Sequence, residues 1–156
     1  MQRIAVFAGS FDPFTKGHES VIKRFVPLFD SIIIAVGVNS TKQYMFSLES
    51  RLKHIESLCK TYPNVTVETY DGLTIDYCKL KKAQYLIRGI RNTTDFEFEK
   101  SIAQMNKTLS GIETVFLITE PDVAPIHSTI VRELKKNNGD ISQFVTNDGM
   151  LIITTK

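Results

Sequence analysis

The sequence predicts an α/β fold in which helices cover both faces of a doubly wound, mostly parallel sheet. Two observations support this prediction. Short apolar runs alternate with amphipathic stretches of helical length along the chain, which is typical of βαβ units. No internal repeat or Pro/Gly/Ser-rich linker divides the 156 residues. We therefore expect one Rossmann-like domain that spans residues 1–156.

Hydrophobic periodicity assigns the individual elements. Strands are predicted at residues 4–8, 31–38, 65–70, 85–87 and 115–118. Helices are predicted at residues 17–29, from the Ser47 cap to Cys59, and at residues 73–80, 94–109 and 128–136. Pro27 lies in the last turn of the first helix, where it interrupts helical hydrogen bonding.

The loops after the strands are the expected place for chemistry. In open parallel sheets, ligands bind beyond the carboxyl ends of the strands, where the strand order reverses. These loops cover residues 9–18, 39–44, 71–74, 88–91 and 119–129.

Composition excludes several classes of protein. With 19 basic and 17 acidic residues, the net charge of +2 gives no bulk field for a nucleic-acid backbone. The longest apolar run, residues 32–38, is too short to span a membrane. The apolar run after the N-terminus is too short for a signal peptide, so we expect a cytoplasmic protein. Cys59 and Cys78 lie outside any C-x-x-C pair and are expected to be reduced core thiols.

The first loop, residues 9–18, has features of a phosphate site. Gly9 allows a tight turn off the strand, and Gly17-His18 opens a helix whose N-terminus attracts anions. An isolated histidine at this position is more often a surface or capping residue. However, Thr15-Lys16-Gly17-His18 resembles the (H/T)-x-G-H signature of the nucleotidyltransferase superfamily. It matches neither the G-x-G-x-x-G fingerprint nor the P-loop.

A second basic motif follows the fourth predicted strand. Arg88 and Arg91 flank Gly89. Arginine recognises phosphate in a planar, bidentate way, and the glycine permits close backbone approach. The alternative, a solvated charged loop, does not explain why the pair lies at a strand end.

Four segments together resemble the bacterial phosphopantetheine adenylyltransferases. They are residues 9–18, 45–51, 88–91 with 95–99, and 126–133, in the family's order and spacing. The resemblance runs from Ile4 to about Phe144. His127 departs from it, because the family usually has a serine there. Residues 145–156 also lack the expected charged helical pattern, and residues 151–155 indicate a strand or an ordered tail.

The resemblance implies transfer of AMP from ATP to 4′-phosphopantetheine, which yields dephospho-coenzyme A and pyrophosphate. The attacking phosphate is already ionised, so no general base is needed. Catalysis should come from positioning the two anions and stabilising charge on the α-phosphoryl group. The family's pattern assigns that stabilisation to His18.

The resemblance also implies two sets of binding residues. The 4′-phosphopantetheine set is Ser10, Lys42, Thr74 and Arg88. The ATP set is Ser10, Phe11, His18, Gly89, Ile90, Arg91, Glu99, Val123, Ala124, Pro125, Ile126, His127, Ser128 and Thr129. Mg²⁺ would bind mainly through ATP phosphates, without a protein metal site. The family further implies a homohexamer and coenzyme A as a feedback ligand.

Two other functions stay open from the sequence. One is a sister nucleotidyltransferase that acts on nicotinate mononucleotide or a phosphorylated alcohol. The other is a nucleotide-binding regulator without catalysis. Outside the site, His54 is predicted to face solvent on the polar side of its helix. Phe96 and Phe98 are predicted to pack, with one of them available for a subunit contact.

Overall fold

A computed structural model describes residues 1–154, and it confirms the predicted α/β architecture. Five parallel strands form one sheet in the order β3-β2-β1-β4-β5. The strands are β1 Ile4–Gly9, β2 Ser31–Gly37, β3 Val65–Tyr70, β4 Tyr85–Ile90 and β5 Glu113–Ile118. The strand order reverses between β1 and β4, so this is the switch point where a ligand is expected.

Five α-helices connect or follow the strands. They are α1 Lys16–Phe25, α2 Leu48–Cys59, α3 Thr74–Leu80, α4 Thr93–Ser110 and α5 Ser128–Lys136. The predicted helix at residues 17–29 is wrong at its end, because residues 26–28 form a 3₁₀ turn. Pro27 lacks the N–H group that an α-helix would need there. The predicted Ser47 cap is confirmed, since its side chain accepts from the Ser50 N–H group at 3.2 Å.

Helices cover both faces of the sheet. On one face, α1 and α2 pack against the central strands around Phe25 and Ile55. On the other face, α3 packs around Ile75 and Cys78, and α4 contacts α3, β4 and β5. Cys59 and Cys78 are buried free thiols, as predicted, and burial raises the pKa of each to about 11. Among the helices within residues 1–154, none has the length and apolar character that a bilayer span requires.

The two strands at the switch point separate early. β1 pairs with β4 only at Ala5–Tyr85 and Val6–Leu86, whereas β1 and β2 pair along the whole of β1. Beyond this short ladder, Nη1 of Arg88 donates to the Ala8 carbonyl at 2.8 Å. The arginine thus supplies a donor that the missing strand ladder would otherwise provide. The gap opens the sheet for a ligand.

The C-terminal segment buries a histidine that the sequence places in solvent. His54 has no exposed surface, and its Nε2 donates to the Thr146 carbonyl at 2.6 Å. The prediction of a surface His54 is therefore wrong. Helix periodicity separates an apolar from a polar face, but it does not show that a distant segment covers the polar face. Burial lowers the pKa of His54.

The end of the described chain is ordered but contains little strand. Ile153 forms a single antiparallel bridge with Phe46, and the Ser47 N–H group donates to the Ile152 carbonyl at 2.8 Å. The expectation of an ordered tail is confirmed through residue 154. Thr155, which the sequence includes in that segment, lies outside the described residues.

Gly89 on β4 allows α1 to pack closely against this strand. The closeness of this packing predicts the effect of a larger residue on stability. A Cβ at Gly89 would lie 2.6 Å from Cγ2 of Val21, and Val21 is buried. We expect Gly89→Ala to lower the free energy of unfolding by about 1–3 kcal/mol, the usual range for overpacking. Urea denaturation measures the change. Adding Val21→Ala should recover part of it, and an unchanged midpoint for the single variant would contradict the packing argument.

Candidate active site

A cavity of about 450 Å³ lies at the switch point. Its walls come from the end of β1, the start of α1, the end of β4, the start of α4 and the 119–129 loop. We call it the large cavity. Predicted ATP residues that line it are Ser10, Phe11, His18, Gly89, Arg91, Glu99, Val123, Ile126, His127, Ser128 and Thr129.

Three residues of the predicted ATP set do not line the large cavity: Ile90, Ala124 and Pro125. The sequence predicts a loop at residues 88–91, but residues 88–90 belong to β4. Gly89 borders the cavity, whereas Ile90 is buried and does not line it. Contacts of these three residues with a nucleotide stay predictions.

His18 is held in one tautomer at the start of α1. The Thr15 N–H group lies 2.9 Å from Nδ1 of His18. A backbone N–H group can only donate, so Nδ1 accepts. The proton of the neutral ring is therefore on Nε2.

The surroundings of His18 keep the ring neutral. The rings of Phe11 and Phe14 have their centroids 5.2 and 5.1 Å from that of the imidazole. Burial, followed by the positive charges of Arg91 and Arg88, lowers the pKa of His18 to about 4. At neutral pH the side chain can therefore present an uncharged Nε2–H donor.

This low pKa predicts the pH behaviour of His18. In a ¹H–¹⁵N NMR titration of the ligand-free protein, the ring should stay neutral down to about pH 5 and titrate near pH 4. Between about pH 6.5 and 4 the unfolded chain binds a proton that the folded chain does not. The free energy of unfolding should therefore decrease as the pH falls through this window, because protonation of His18 favours the unfolded chain. A midpoint near 6.5 would contradict the proposed enclosure of the ring.

The two arginines of the site are paired with carboxylates. Nε of Arg88 lies 3.2 Å from a Glu99 oxygen, and Nε of Arg91 lies 2.6 Å from an Asp95 oxygen. Hydrogen bonding from the Arg91 side chain holds the pKa of the Asp95 carboxyl below its usual value. The sequence motif indicates concentrated positive charge at this edge of the sheet. In the structure, Glu99 and Asp95 neutralise much of the charge of the two arginines. The arginines supply oriented N–H donors more than net charge.

A second cavity of about 310 Å³ lies beside the large cavity. We call it the small cavity, and its lining includes Lys42, Tyr44 and Tyr70. Ser10 and Arg88 line both cavities. Nζ of Lys42 lies 3.5 Å from Oγ of Ser10. The structure thus brings together three of the four residues predicted for the acceptor.

Thr74, the fourth predicted acceptor residue, does not line the small cavity. Its hydroxyl lies 2.9 Å from that of Tyr70, whose ring does line it. In the structure Thr74 therefore contacts a residue of the small cavity, Tyr70, rather than the cavity itself. Direct contact of Thr74 with a substrate stays a prediction.

Arg51 is a site-forming residue that ends the 45–51 segment but to which the sequence assigns no role. Only 2% of its surface is exposed, and its Nη1 donates to the Ser10 carbonyl at 2.5 Å. Its guanidinium stacks on the Tyr44 ring, 4.2 Å from the centroid. Arg51 therefore joins the first loop to the loop that carries Lys42. The available signal is its place at the end of the 45–51 segment, which does not by itself show whether the side chain is buried or exposed.

The first turns of α1 and α5 lie at the large cavity. α1 starts after Thr15, and α5 starts after His127, whose side chain makes no capping hydrogen bond to the helix. Hydroxyl Oγ of Ser128 donates to the Pro13 carbonyl at 2.9 Å, which ties α5 to the first loop. The first-turn N–H groups of α5 are suited to bind phosphate oxygens.

The carboxylates of the large cavity fit a metal ion that enters the cavity already bound to a phosphorylated ligand. Asp95 and Glu99 are the carboxylates that line it, and each already pairs with an arginine. Within residues 1–154, no group of three or more His, Cys, Asp or Glu side chains could hold a metal ion. A magnesium ion would therefore take most of its ligands from phosphates.

Lys42 provides a test of the small cavity. We expect Lys42→Met to raise KM for a phosphorylated acceptor about tenfold, because a charge-assisted phosphate contact is lost. KM for ATP should change little. Lys53 is a matched control, since it is exposed and pairs with Glu49 on α2, so Lys53→Met should leave both constants unchanged. Equal changes in KM for both substrates of Lys42→Met would contradict the assignment.

The chain is similar to known proteins over most of its length. The family model described as cytidylyltransferase-like matches residues 6–134. A phosphopantetheine adenylyltransferase of Flavobacterium johnsoniae is 54% identical over 143 residues, 92% of this chain and 94% of that protein. One from Cytophaga hutchinsonii is 50% identical over 146 residues, 93% of this chain and 97% of that protein.

A solved structure is similar in fold. It is a bifunctional NMN adenylyltransferase/ADP ribose pyrophosphatase from Francisella tularensis, with a TM-score of 0.72 and 21% identity. The match covers 97% of this chain and 47% of that one. At this identity the likeness supports the fold alone.

Proposed function

Because the chain belongs to the phosphopantetheine adenylyltransferase family and is a nucleotidyltransferase, we propose that it transfers the adenylyl group of ATP to 4′-phosphopantetheine. The products are 3′-dephospho-coenzyme A and pyrophosphate. ATP would occupy the large cavity, and the acceptor phosphate would occupy the small cavity. The arrangement that supports this most is the pair of cavities that share Ser10 and Arg88 beside His18.

This arrangement suits direct attack. A phosphate held by Lys42 and Ser10 in the small cavity would face the α-phosphoryl group of ATP across the shared wall. Such positioning of two reactants lowers the entropic part of the barrier. The acceptor oxygen forms a bond to the α-phosphorus while the bond to the β-phosphate oxygen breaks, and pyrophosphate leaves.

His18 would stabilise the transition state as a neutral donor. Thr15 fixes Nδ1, which leaves the Nε2–H group free to donate to an oxygen of the α-phosphoryl group. Charge develops there during transfer, and a donor already in place needs no reorganisation. Gly89, Arg91 and Glu99 would hold ATP from the β4–α4 side, and Ser128 and Thr129 would hold phosphates at the start of α5. Bound Mg²⁺ would neutralise part of the phosphate charge.

An acceptor screen tests this function. ATP is incubated with Mg²⁺ and, in turn, phosphopantetheine, dephosphorylated pantetheine, nicotinate mononucleotide or a phosphorylated alcohol, and pyrophosphate release is measured. We expect fast release with phosphopantetheine only, and slow release when CTP replaces ATP. Preference for nicotinate mononucleotide would favour the sister nucleotidyltransferase. ATP binding without any acceptor-dependent turnover would favour the regulator.

Three further properties complete the proposal. The protein would act in the cytoplasm, assemble as a homohexamer and bind coenzyme A as a feedback ligand. The exposed apolar side chains Phe98, Met105 and Leu109 on α4 support an assembly that covers this helix. Coenzyme A shares the pantetheine and adenylyl parts of the product, so it would compete for both cavities. Light scattering measures the assembly, and inhibition kinetics measure the feedback.

A further inference from the structure

His127 contacts an arginine of the large cavity in a way that fixes the tautomer of its ring. Its Nδ1 lies 2.5 Å from Nη1 of Arg91. Guanidinium N–H groups only donate, so Nδ1 must accept. Like His18, the neutral His127 ring therefore carries its proton on Nε2. A serine at this position would lack the ring nitrogen that accepts from Arg91.

This contact completes the restraint of Arg91. Asp95 accepts from Nε at 2.6 Å and from Nη2 at 3.0 Å, while His127 accepts from Nη1. Three of the five guanidinium N–H donors are thus occupied, and two are left for a ligand. A side chain already fixed in place loses little further freedom when a ligand binds, which favours affinity.

The contact is not what holds α5 in place. Ser128 and Arg132 tie that helix to the first loop by hydrogen bonds to the Pro13 and Asp12 carbonyls, at 2.9 and 2.7 Å. Val131 anchors its buried side. The His127 ring is only partly buried and lines the large cavity. Its hydrogen bond therefore acts on Arg91 more than on the helix.

We propose that His127 is a positioning residue for nucleotide binding, which acts by holding the Arg91 guanidinium against the large cavity together with Asp95. The inference rests on the proposed function only for the identity of the ligand, ATP. It assigns a role to a residue that departs from the serine usual in the family.

Two substitutions separate the acceptor from the ring. His127→Asn keeps an acceptor near the position of Nδ1, and His127→Phe keeps a ring but has no acceptor. Calorimetry measures the Kd for ATP without any acceptor substrate, and thermal unfolding checks each variant. We expect His127→Phe to raise the Kd for ATP about tenfold, the usual effect of losing a hydrogen bond to a charged group. His127→Asn should stay within about threefold of the original protein. The Kd for phosphopantetheine should not change.

A double-mutant cycle tests whether the effect passes through Arg91. In an Arg91→Met background, His127→Phe should cause no further loss of ATP affinity, because its partner is gone. The inference is overturned if His127→Phe binds ATP normally, if both His127 variants lose equal affinity, or if the loss persists without Arg91. It is also overturned if the original protein binds no ATP. ATP binding without adenylyl transfer to phosphopantetheine would instead overturn the proposed function and leave this inference standing.

Discussion

Replacing His18 with alanine is expected to lower kcat by about 10²–10³-fold, the usual effect of removing one preorganised donor to a developing oxyanion. The Nε2–H group would interact with the α-phosphoryl oxygen more strongly in the transition state than in the ground state. KM for both substrates should therefore change much less than kcat. Steady-state pyrophosphate release measures the three constants.

His18→Gln is the matched variant for this prediction, since its side-chain amide keeps an N–H donor of similar reach. We expect it to retain more activity than His18→Ala. Unfolding midpoints control for structure, because Thr15 also contacts the ring. Normal turnover by His18→Ala, or an effect confined to KM, would contradict the role of His18 in the transition state.

Replacing Arg88 with methionine is expected to lower kcat/KM for both substrates by about 10²-fold. Arg88 lies in the shared wall of the two cavities and pairs with Glu99. The substitution removes donors to two anionic ligands and also leaves the Glu99 carboxylate without its partner. Loss of a hydrogen bond to a charged group typically costs about 1.5–3 kcal/mol.

A double variant separates the effect of the unpaired Glu99 carboxylate from the effect of the lost arginine donors. Arg88→Met combined with Glu99→Gln removes the unpaired charge, so the double variant should be more active than Arg88→Met alone. It should stay below the original protein, because the donors are still missing. An effect on only one substrate would show that Arg88 does not serve both cavities. No recovery in the double variant would show that the unpaired Glu99 carboxylate does not contribute to the loss.

The local features of the fold follow directly from the sequence. β-Branched runs and amphipathic stretches repeat at lengths that leave a parallel sheet as the simple solution, and all five strands appear near their predicted positions. The placement of chemistry also follows, because strand ends in such a sheet meet at one edge. The periodicity places His18 and Lys42 in loops at this edge, whereas their roles are what the family resemblance implies.

Features that depend on distant contacts were not predictable in the same way. Whether His54 and Arg51 are buried depends on what covers α2, and residues far along the chain decide this. The pairing of Arg88 with Glu99 places an acid from α4 beside a base from β4. A motif shows which charges are present, but only the fold shows which of them neutralise each other.

The central claim is that an acceptor oxygen held in the small cavity attacks the α-phosphorus of ATP in the large cavity, and isotope labelling tests this bond formation most directly. Phosphopantetheine whose phosphate carries ¹⁸O in its non-bridging oxygens is incubated with unlabelled ATP and Mg²⁺, and mass spectrometry follows the products. We expect all of the label in dephospho-coenzyme A and none in pyrophosphate, because an acceptor oxygen attacks the α-phosphorus. Formation of AMP, label in pyrophosphate, or no acceptor-dependent turnover would contradict the claim.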